Sequence, residues 1–456
     1  MENLHGYTGL ALEVLKKADV KIGDNIRVIR DGEIFEGMLM PRIGLGDPSH
    51  IILKLSNGYN IGIKVKGNVE VEKIEVEKKF QDKTVSVEVL KKEGLPSVLI
   101  IGTGGTIASK VEYRTGAVYP SLTTEDLYRA VPELSSIAEI RTDVLLSIFS
   151  ENMEPKHWCE IAKAVGKTIL EENVDGIVIA HGTDTMGYTA AALSFALQNL
   201  PVPIVLVGSQ RSSDRPSSDA ALNLIGAVRV AAYAPFAEVV VAMHESISDD
   251  SILIHRGVKV RKCHTSRRDA FKSVNAKPLA RVSNGEIQML TDDYVVRSLD
   301  KNLKLKPNFE EKVALLKFHP GFNPQIIEWL VERKYFGIVF EGTGLGHVSK
   351  SCFESIRKAV EAGMVVGMTS QCIWGNVRMT VYDTGRDLLS LGVIPLGDML
   401  PETALVKMMW AFGQTKNPDE VKEIMLLNLV GEYSSKLTVY TFWGDFLSLQ
   451  IYRQIV

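Results

Sequence analysis

Four runs of this chain are apolar almost from end to end: Val98-Leu99-Ile100-Ile101, Gly176-Ile177-Val178-Ile179-Ala180, Val202-Pro203-Ile204-Val205-Leu206-Val207 and Glu238-Val239-Val240-Val241-Ala242. A strand with one wet face alternates apolar and polar residues. A continuous apolar run must be covered on both faces, as inside a parallel sheet flanked by helices. The stretches Tyr188 to Leu200 and Ser218 to Ala231 have the length and pattern of the covering helices. The alternation predicts a doubly wound α/β domain.

A second unit of the same texture begins near residue 312. Its strands are Val313 to Phe318, Gly337 to Phe340 and Val365 to Met368, and its helices lie near Pro324–Lys334, Lys350–Glu361 and Glu402–Phe412. Residues 275–310 hold no long apolar strand and are expected to include the crossing between the two units. A chain of 456 residues is long enough for roughly two to four domains, and this division is of that kind.

Residues 1–90 differ. Ile26 to Arg30 alternates, Asp31-Gly32 offers a turn, and Ile34 to Leu39 follows; His50 to Leu55, Asn57-Gly58 and Tyr59 to Val65 repeat the arrangement. Asp-Gly or Asn-Gly between alternating runs is a strong hairpin signal. A small β-barrel or curled sheet is expected here. The Glu- and Lys-rich residues 72–93 lead, through a strand or two, to a boundary at Gly94-Leu95-Pro96. The predicted domains are 1–90, 97–290 and 310–435, with 436–456 as a C-terminal extension.

Apolar residues make up 45% and charged residues 23%, the balance of a folded globular protein. A net charge of −3 gives no global drive toward nucleic acid or anionic membrane. The start Met1-Glu2-Asn3-Leu4-His5 is not that of a secretory signal, and no apolar stretch approaches the ~20 residues needed to span a bilayer. Cys159, Cys263, Cys352 and Cys372 form no CxxC pair. Reduced thiols, no metal site and a cytoplasmic location are expected.

Each strong strand ends in a short polar motif: Gly102-Thr103-Gly104-Gly105-Thr106, His181-Gly182-Thr183-Asp184-Thr185 and Gly208-Ser209-Gln210-Arg211. Ligands of open α/β sheets bind outside the carboxyl ends of the strands, so these loops are expected to converge on one crevice. The first is not a phosphate cradle: no Gly-Lys-Ser/Thr follows, and Ile107 stands where a dinucleotide fingerprint needs glycine. His347 breaks the same pattern at Gly342-Thr343-Gly344. What remains is a glycine loop presenting two threonines, either a tight turn or an anion-binding nest. Thr183-Asp184 is either a helix cap or a hydroxyl paired with a carboxylate. The basic run Arg256 to Lys262, followed by His264 to Arg268, is either a solvated face or the source of a lysine that serves the Thr-Asp pair.

Thr103-Gly104-Gly105-Thr106-Ile107-Ala108 together with His181-Gly182-Thr183-Asp184-Thr185 resembles the two signatures of the asparaginase/glutaminase amidohydrolases. Tyr113, Ser150-Glu151, Gly208-Ser209-Gln210 and Lys262 follow in the family's order, and the resemblance spans residues 97–430. It implies a two-domain asparaginase-like body with parallel-rich sheets, preceded here by the N-terminal β-barrel. It also implies roles. Thr106 matches the nucleophile and Tyr113 the flap tyrosine that helps activate it. Thr183, Asp184 and Lys262 match the second catalytic set. Ser150 and Glu151 match positions that hold the substrate's α-carboxylate and α-amino ends, with Asp184 also on the amino group and Gly105 and Gly182 lining the site. Leu345 stands near the position where plain bacterial enzymes carry an asparagine that reaches a neighbour's site.

A barrel added to such a body resembles the glutaminase subunits of archaeal tRNA-dependent amidotransferases. That resemblance implies hydrolysis of glutamine, with ammonia passed to a kinase-like amidotransferase partner, the E subunit, which amidates Glu-tRNA(Gln) using its own ATP and Mg. No cofactor is expected in this chain, and a homodimer within a heterotetramer is implied. The competing readings are a free-standing cytosolic L-asparaginase, which has no evident use for the barrel, and a nucleotide-binding module, which the broken phosphate motifs disfavour. Mixed charge over 1–90 (Lys16, Lys17, Lys21, Arg27 and Arg30 against Glu33, Glu36 and Asp47) fits a protein contact better than a grip on phosphates.

Overall fold

The computed structural model describes residues 4, 6–40, 48–54, 60–66, 68–74, 94–105, 109–112, 117–120, 127, 131–211 and 218–434. The N-terminal unit has a helix, Gly9–Lys17, and five antiparallel strands: β1 (Asn25–Arg30), β2 (Glu33–Leu39), β3 (His50–Lys54), β4 (Asn60–Lys64) and β5 (Val69–Lys73). Asp31 (φ +51°) and Gly32 (φ +85°) make the β1–β2 turn. Two successive positive φ values match the twist of a two-residue hairpin, which is why Asp-Gly sits there. Ile26, Val28, Leu39, Ile51, Leu53 and Ile63 form one apolar core with Tyr7, Ala11 and Leu15, so the helix covers the sheet.

The strand order is β4-β3-β2-β1-β5. Among the described residues this is an antiparallel sheet with β4 and β5 as its edges; of the expected barrel or curled sheet, no closed barrel is found. Hairpin signals specify pairing between neighbours in sequence; closure depends on pairing between the first and last strands, which no turn encodes. The helix Gly9–Lys17 was not anticipated either. The Asn57-Gly58 turn, residues 75–93, residue 435 and the extension 436–456 lie outside the described residues.

Among the described residues the body's larger sheet has eight strands. Five are parallel: β6 (Ser97–Gly102), β7 (Glu139–Val144), β8 (Gly176–Ala180), β9 (Ile204–Val207) and β10 (Val239–His244), lying side by side in the order β10-β9-β8-β6-β7. Residues of one strand feed both faces: Val178 and Ala180 enter one core with the helix Ala220–Tyr233. Ile177 and Ile179 enter the other with the helices Pro155–Glu171 and Met186–Ala196. Covering both faces is what the unbroken apolar runs require.

Past β10 the sheet continues antiparallel through β11 (Ser251–Arg256), and then through two strands from the segment 275–310, Ala280–Ser283 and Glu286–Met289. The segment expected to include the crossing thus also supplies two strands of the sheet. Its strands are short and alternate in burial, so no apolar run betrays them. The hairpin signal was present as Asn284 (φ +48°) and Gly285 (φ +78°). A second hairpin, β12 (Val260–Lys262) with β13 (Phe271–Ser273), precedes them in sequence, so the two strands of 275–310 are β14 (Ala280–Ser283) and β15 (Glu286–Met289).

The C-terminal unit is a parallel sheet of β16 (Val313–Lys317), β17 (Gly337–Gly342), β18 (Val365–Ser370) and β19 (Ile394–Pro395). Helices Met186–Ala196 and Pro401–Gln414 join the two units; Phe195 and Trp410 stack with ring centroids 5.8 Å apart. No helix among the described residues is long and apolar enough to cross a membrane.

Candidate active site

Four loops leave the carboxyl ends of the adjacent strands β9, β8, β6 and β7, and the backbone bonds of the sheet continue into them. The N–H and Oγ1 of Thr103 both donate to the Ala180 carbonyl, at 3.0 and 2.9 Å. The Leu145 and Leu146 N–H groups donate to Gly102 O, and the His181 N–H donates to Val207 O. Glycines then allow the loops to touch. A Cβ on Gly105 (φ +84°) would lie 2.7 Å from the Gly182 nitrogen, and one on Gly182 would lie 2.7 Å from Ser150 Cβ. One on Gly208 would lie 2.8 Å from Thr183 Cγ2. Real Cβ atoms do not approach so closely, so these positions are held to glycine by contact between loops. The Thr185 hydroxyl donates to Ser150 O at 2.7 Å and ties the loop after β8 to the loop after β7.

Lys262 closes the arrangement from the end of β12. Its Nζ donates to Thr183 Oγ1 at 2.9 Å and to Asp184 Oδ1 at 2.7 Å. The lysine side chain is 14% exposed and Asp184 68%, so the pair points from a covered base toward solvent. The rest of the basic run is not a solvated face. Arg256 pairs with Glu238 at 2.7 Å, Arg261 with Glu402 at 3.1 Å, and Lys259 with Asp398 at 2.7 Å. Lys259 is buried; loss of hydration lowers its pKa from the ordinary lysine value, with Asp398 opposing. These pairs anchor the strand that delivers Lys262. His255 Nδ1, 2.8 Å from Ser273 Oγ, pins the hairpin to β11.

His181 shapes the loop after β8 from beneath. It is fully buried, and desolvation pushes its pKa down to about 4. Its Nδ1 lies 2.7 Å from Gly182 O, and Nε2 lies 2.9 Å from the Thr189 hydroxyl, which accepts from Trp158 Nε1 at 3.1 Å. A neutral ring protonated on Nδ1 satisfies every partner: indole to hydroxyl, hydroxyl to Nε2, and Nδ1–H to carbonyl.

The structure thus brings together Gly105, Gly182, Ser150, Thr183, Asp184 and Lys262. Ser150 is buried at the start of the 3₁₀ turn Ser150–Asn152, and Glu151 is exposed in that turn. Thr106 and Tyr113 lie outside the described residues. Sequence reasoning quoted Thr103 and His181 within their motifs but gave them no role, and it did not single out Thr189 or Trp158. Nor did it find Asp219 and Asn223, which hold the loop after β9: Asp219 accepts the N–H groups of Gln210 and Arg211 at 3.0 and 2.9 Å. The only sequence signal for that pair was their spacing of four at the start of a helix.

The family described as asparaginase, N-terminal, matches residues 97–294, and the glutaminase/asparaginase C-terminal domain matches 312–425. The GatD N-terminal domain matches residues 20–74. The chain is 54% identical to the D subunit of the glutamyl-tRNA(Gln) amidotransferase of Metallosphaera sedula, over 95% of this chain and 97% of that one. It is 52% identical to the protein of the same name from Pyrococcus abyssi, over 95% and 99%. Among solved structures it resembles the thermostable L-asparaginase from Thermococcus kodakarensis, with a TM-score of 0.67 and 34% identity, covering 75% of this chain and 100% of that one. L-asparaginase I from Vibrio cholerae gives 0.66 and 29%, covering 75% and 99%.

Proposed function

The chain belongs to the GatD family, the D subunits of glutamyl-tRNA(Gln) amidotransferases, and we propose accordingly that it is the glutaminase subunit of a tRNA-dependent amidotransferase. It hydrolyses glutamine and supplies ammonia to a kinase-like partner, the E subunit. The partner uses ATP and Mg to convert Glu-tRNA(Gln) to Gln-tRNA(Gln). The observation that carries this reading is the N-terminal domain. The asparaginases account for 75% of the chain, whereas the GatD relatives match it over 94–95%, with the domain at 20–74 included. A free-standing asparaginase leaves that domain without a use.

The chemistry is a two-step acyl transfer. A threonine hydroxyl, Thr106 by family position, adds to the side-chain amide carbon of glutamine. The C–N bond breaks, and the nitrogen leaves as ammonia after taking up a proton. Water then cleaves the acyl-enzyme ester, giving glutamate and restoring the hydroxyl. Lys262, bridging Thr183 and Asp184, moves a proton at Thr183 Oγ1, while Tyr113 assists at the first threonine. Ser150, Glu151 and Asp184 hold the α-carboxylate and α-amino ends, and Gly105 and Gly182 let the backbone approach the substrate. The cation–carboxylate pair on one threonine supports the assignment, because an isolated threonine hydroxyl is a weak nucleophile near neutral pH.

The test is ammonia release from glutamine and from asparagine, by the chain alone and with the kinase-like partner, ATP, Mg and Glu-tRNA. Glutaminase activity that rises in the complex and yields Gln-tRNA supports the reading. Rapid asparagine hydrolysis by the isolated chain, unaffected by the partner, overturns it. Within the complex the chain forms a homodimer. A 91–456 chain retains hydrolysis and loses coupled amidation if the N-terminal domain is the docking unit; coupling equal to that of the full chain rules that role out.

A further inference from the structure

A connected set of hydrogen bonds runs behind the site, and the hydrolytic mechanism does not use it. His244, at the end of β10, is wholly buried. Its Nδ1 lies 2.6 Å from Asn223 Oδ1, and its Nε2 lies 3.1 Å from Asp249 Oδ1. The Asn223 amide is oriented by its other contacts: Nδ2 lies 3.0 Å from Gly208 O and 3.0 Å from Asp219 Oδ2, both acceptors. Its Oδ1 is therefore the atom offered to His244. The two imidazole nitrogens thus face two side-chain oxygens, Asn223 Oδ1 on one side and Asp249 Oδ1 on the other.

Each end of this set reaches a catalytic loop. Asp249 Oδ1 also accepts from Arg268 Nη1 at 2.6 Å, and Arg268 lies in the loop beyond Lys262. At the other end, buried Asp219 holds the N–H groups of Gln210 and Arg211, while Asn223 holds the carbonyl of Gly208, the residue packed against Thr183. The loop beyond Lys262 is thus tied, through Arg268–Asp249–His244–Asn223, to the loop after β9, whose Gly208 packs against Thr183.

We infer that His244 is a positioning residue, the buried link through which the loop after Lys262 and the loop behind Thr183 are held in register. The inference rests on the proposed hydrolytic role of Thr183 and Lys262. Two substitutions divide the link. His244→Asn keeps a donor toward Asn223 and gives up Asp249; His244→Gln keeps a donor toward Asp249 and gives up Asn223. Asp249→Ala removes the exposed end, where folding is not at stake.

The experiment measures glutamine hydrolysis by the full chain, with Lys262→Ala alongside. Each of the three variants is expected to lower kcat about tenfold with KM within about twofold, since a small displacement of a positioned group costs turnover before binding. Asp249→Ala is expected to add little in the His244→Asn background, because the link is already cut. The inference fails if Asp249→Ala leaves kcat unchanged, if the two effects multiply in full, or if the His244 variants lower only the melting temperature. Were Lys262→Ala to remain active, the hydrolytic reading itself would fall; an inactive Lys262→Ala beside unimpaired relay variants removes the relay alone.

Discussion

Lys262 Nζ lies 2.9 Å from Thr183 Oγ1, although 79 residues separate the two in sequence. The same nitrogen is 2.7 Å from Asp184 Oδ1, so one compact amine spans a hydroxyl and a carboxylate. A guanidinium is planar and wider, and it presents its donors as a fork. Lys262→Arg is expected to lower kcat for amide hydrolysis by about a thousandfold while the circular dichroism spectrum is unchanged. Retention of more than half the wild-type turnover would show that Lys262 is only a surface charge.

Removing either threonine hydroxyl tests the two-loop site directly. Thr183→Val preserves shape and deletes the oxygen that faces Lys262; Thr106→Ala deletes the hydroxyl at the family's nucleophile position. Both are expected to lower hydrolysis by about three orders of magnitude or more, as for members of one catalytic unit. Their double variant should be little worse than either alone. Independent, multiplying losses would mean the two groups do not act together.

Contact between the loops makes a quieter prediction. In Gly182→Ala the new methyl would stand 2.7 Å from Ser150 Cβ and 2.8 Å from Ser150 Oγ. Relief requires the loops after β8 and β7 to part. Urea unfolding should show a loss of about 1–3 kcal/mol, as for other overpacked sites. The kcat/KM for glutamine should fall at least about tenfold, since Ser150 is assigned to the substrate's α-carboxylate. Wild-type stability would show that these loops are not in contact in solution.

Two buried histidines set a pH dependence of stability. Desolvation lowers His181 to about 4 and His255 to about 3, from an ordinary value of 6.5. Each is neutral in the folded chain and protonates first in the unfolded one. Between pH 6.5 and about 4 the unfolded state therefore binds more protons, and stability falls as the pH falls. The His181 contribution is full above pH 6.5 and is lost progressively down to about pH 4, by roughly 3 kcal/mol. Chemical unfolding at pH 7 and pH 5 should show the decline before most carboxylates titrate. A flat or rising profile over that interval would contradict the buried neutral state.

Features that depend on neighbours along the chain were legible in the sequence. Ile177 to Ala180 had to be buried on both faces because no residue in the run tolerates water. Asp31-Gly32 had to turn because both positions take positive φ. The strand-end motifs placed Gly105, Gly182, Thr183 and Asp184 at the carboxyl edge of a parallel sheet, and the asparaginase resemblance picked out Lys262. Features that depend on residues far apart emerged only when the chain was folded. Lys259 looks like one more cation in a basic run until Asp398, 139 residues later, is found 2.7 Å away. Gly208 looks like a turn residue until Thr183 is found against it. The strands β14 and β15 carry too few buried residues to declare themselves, and they form because β11 offers an unpaired edge. The open N-terminal sheet follows the same rule. Local hairpins are written in two or three residues, but whether the edge strands meet is settled by the curvature of the whole sheet and by the helix that packs across it.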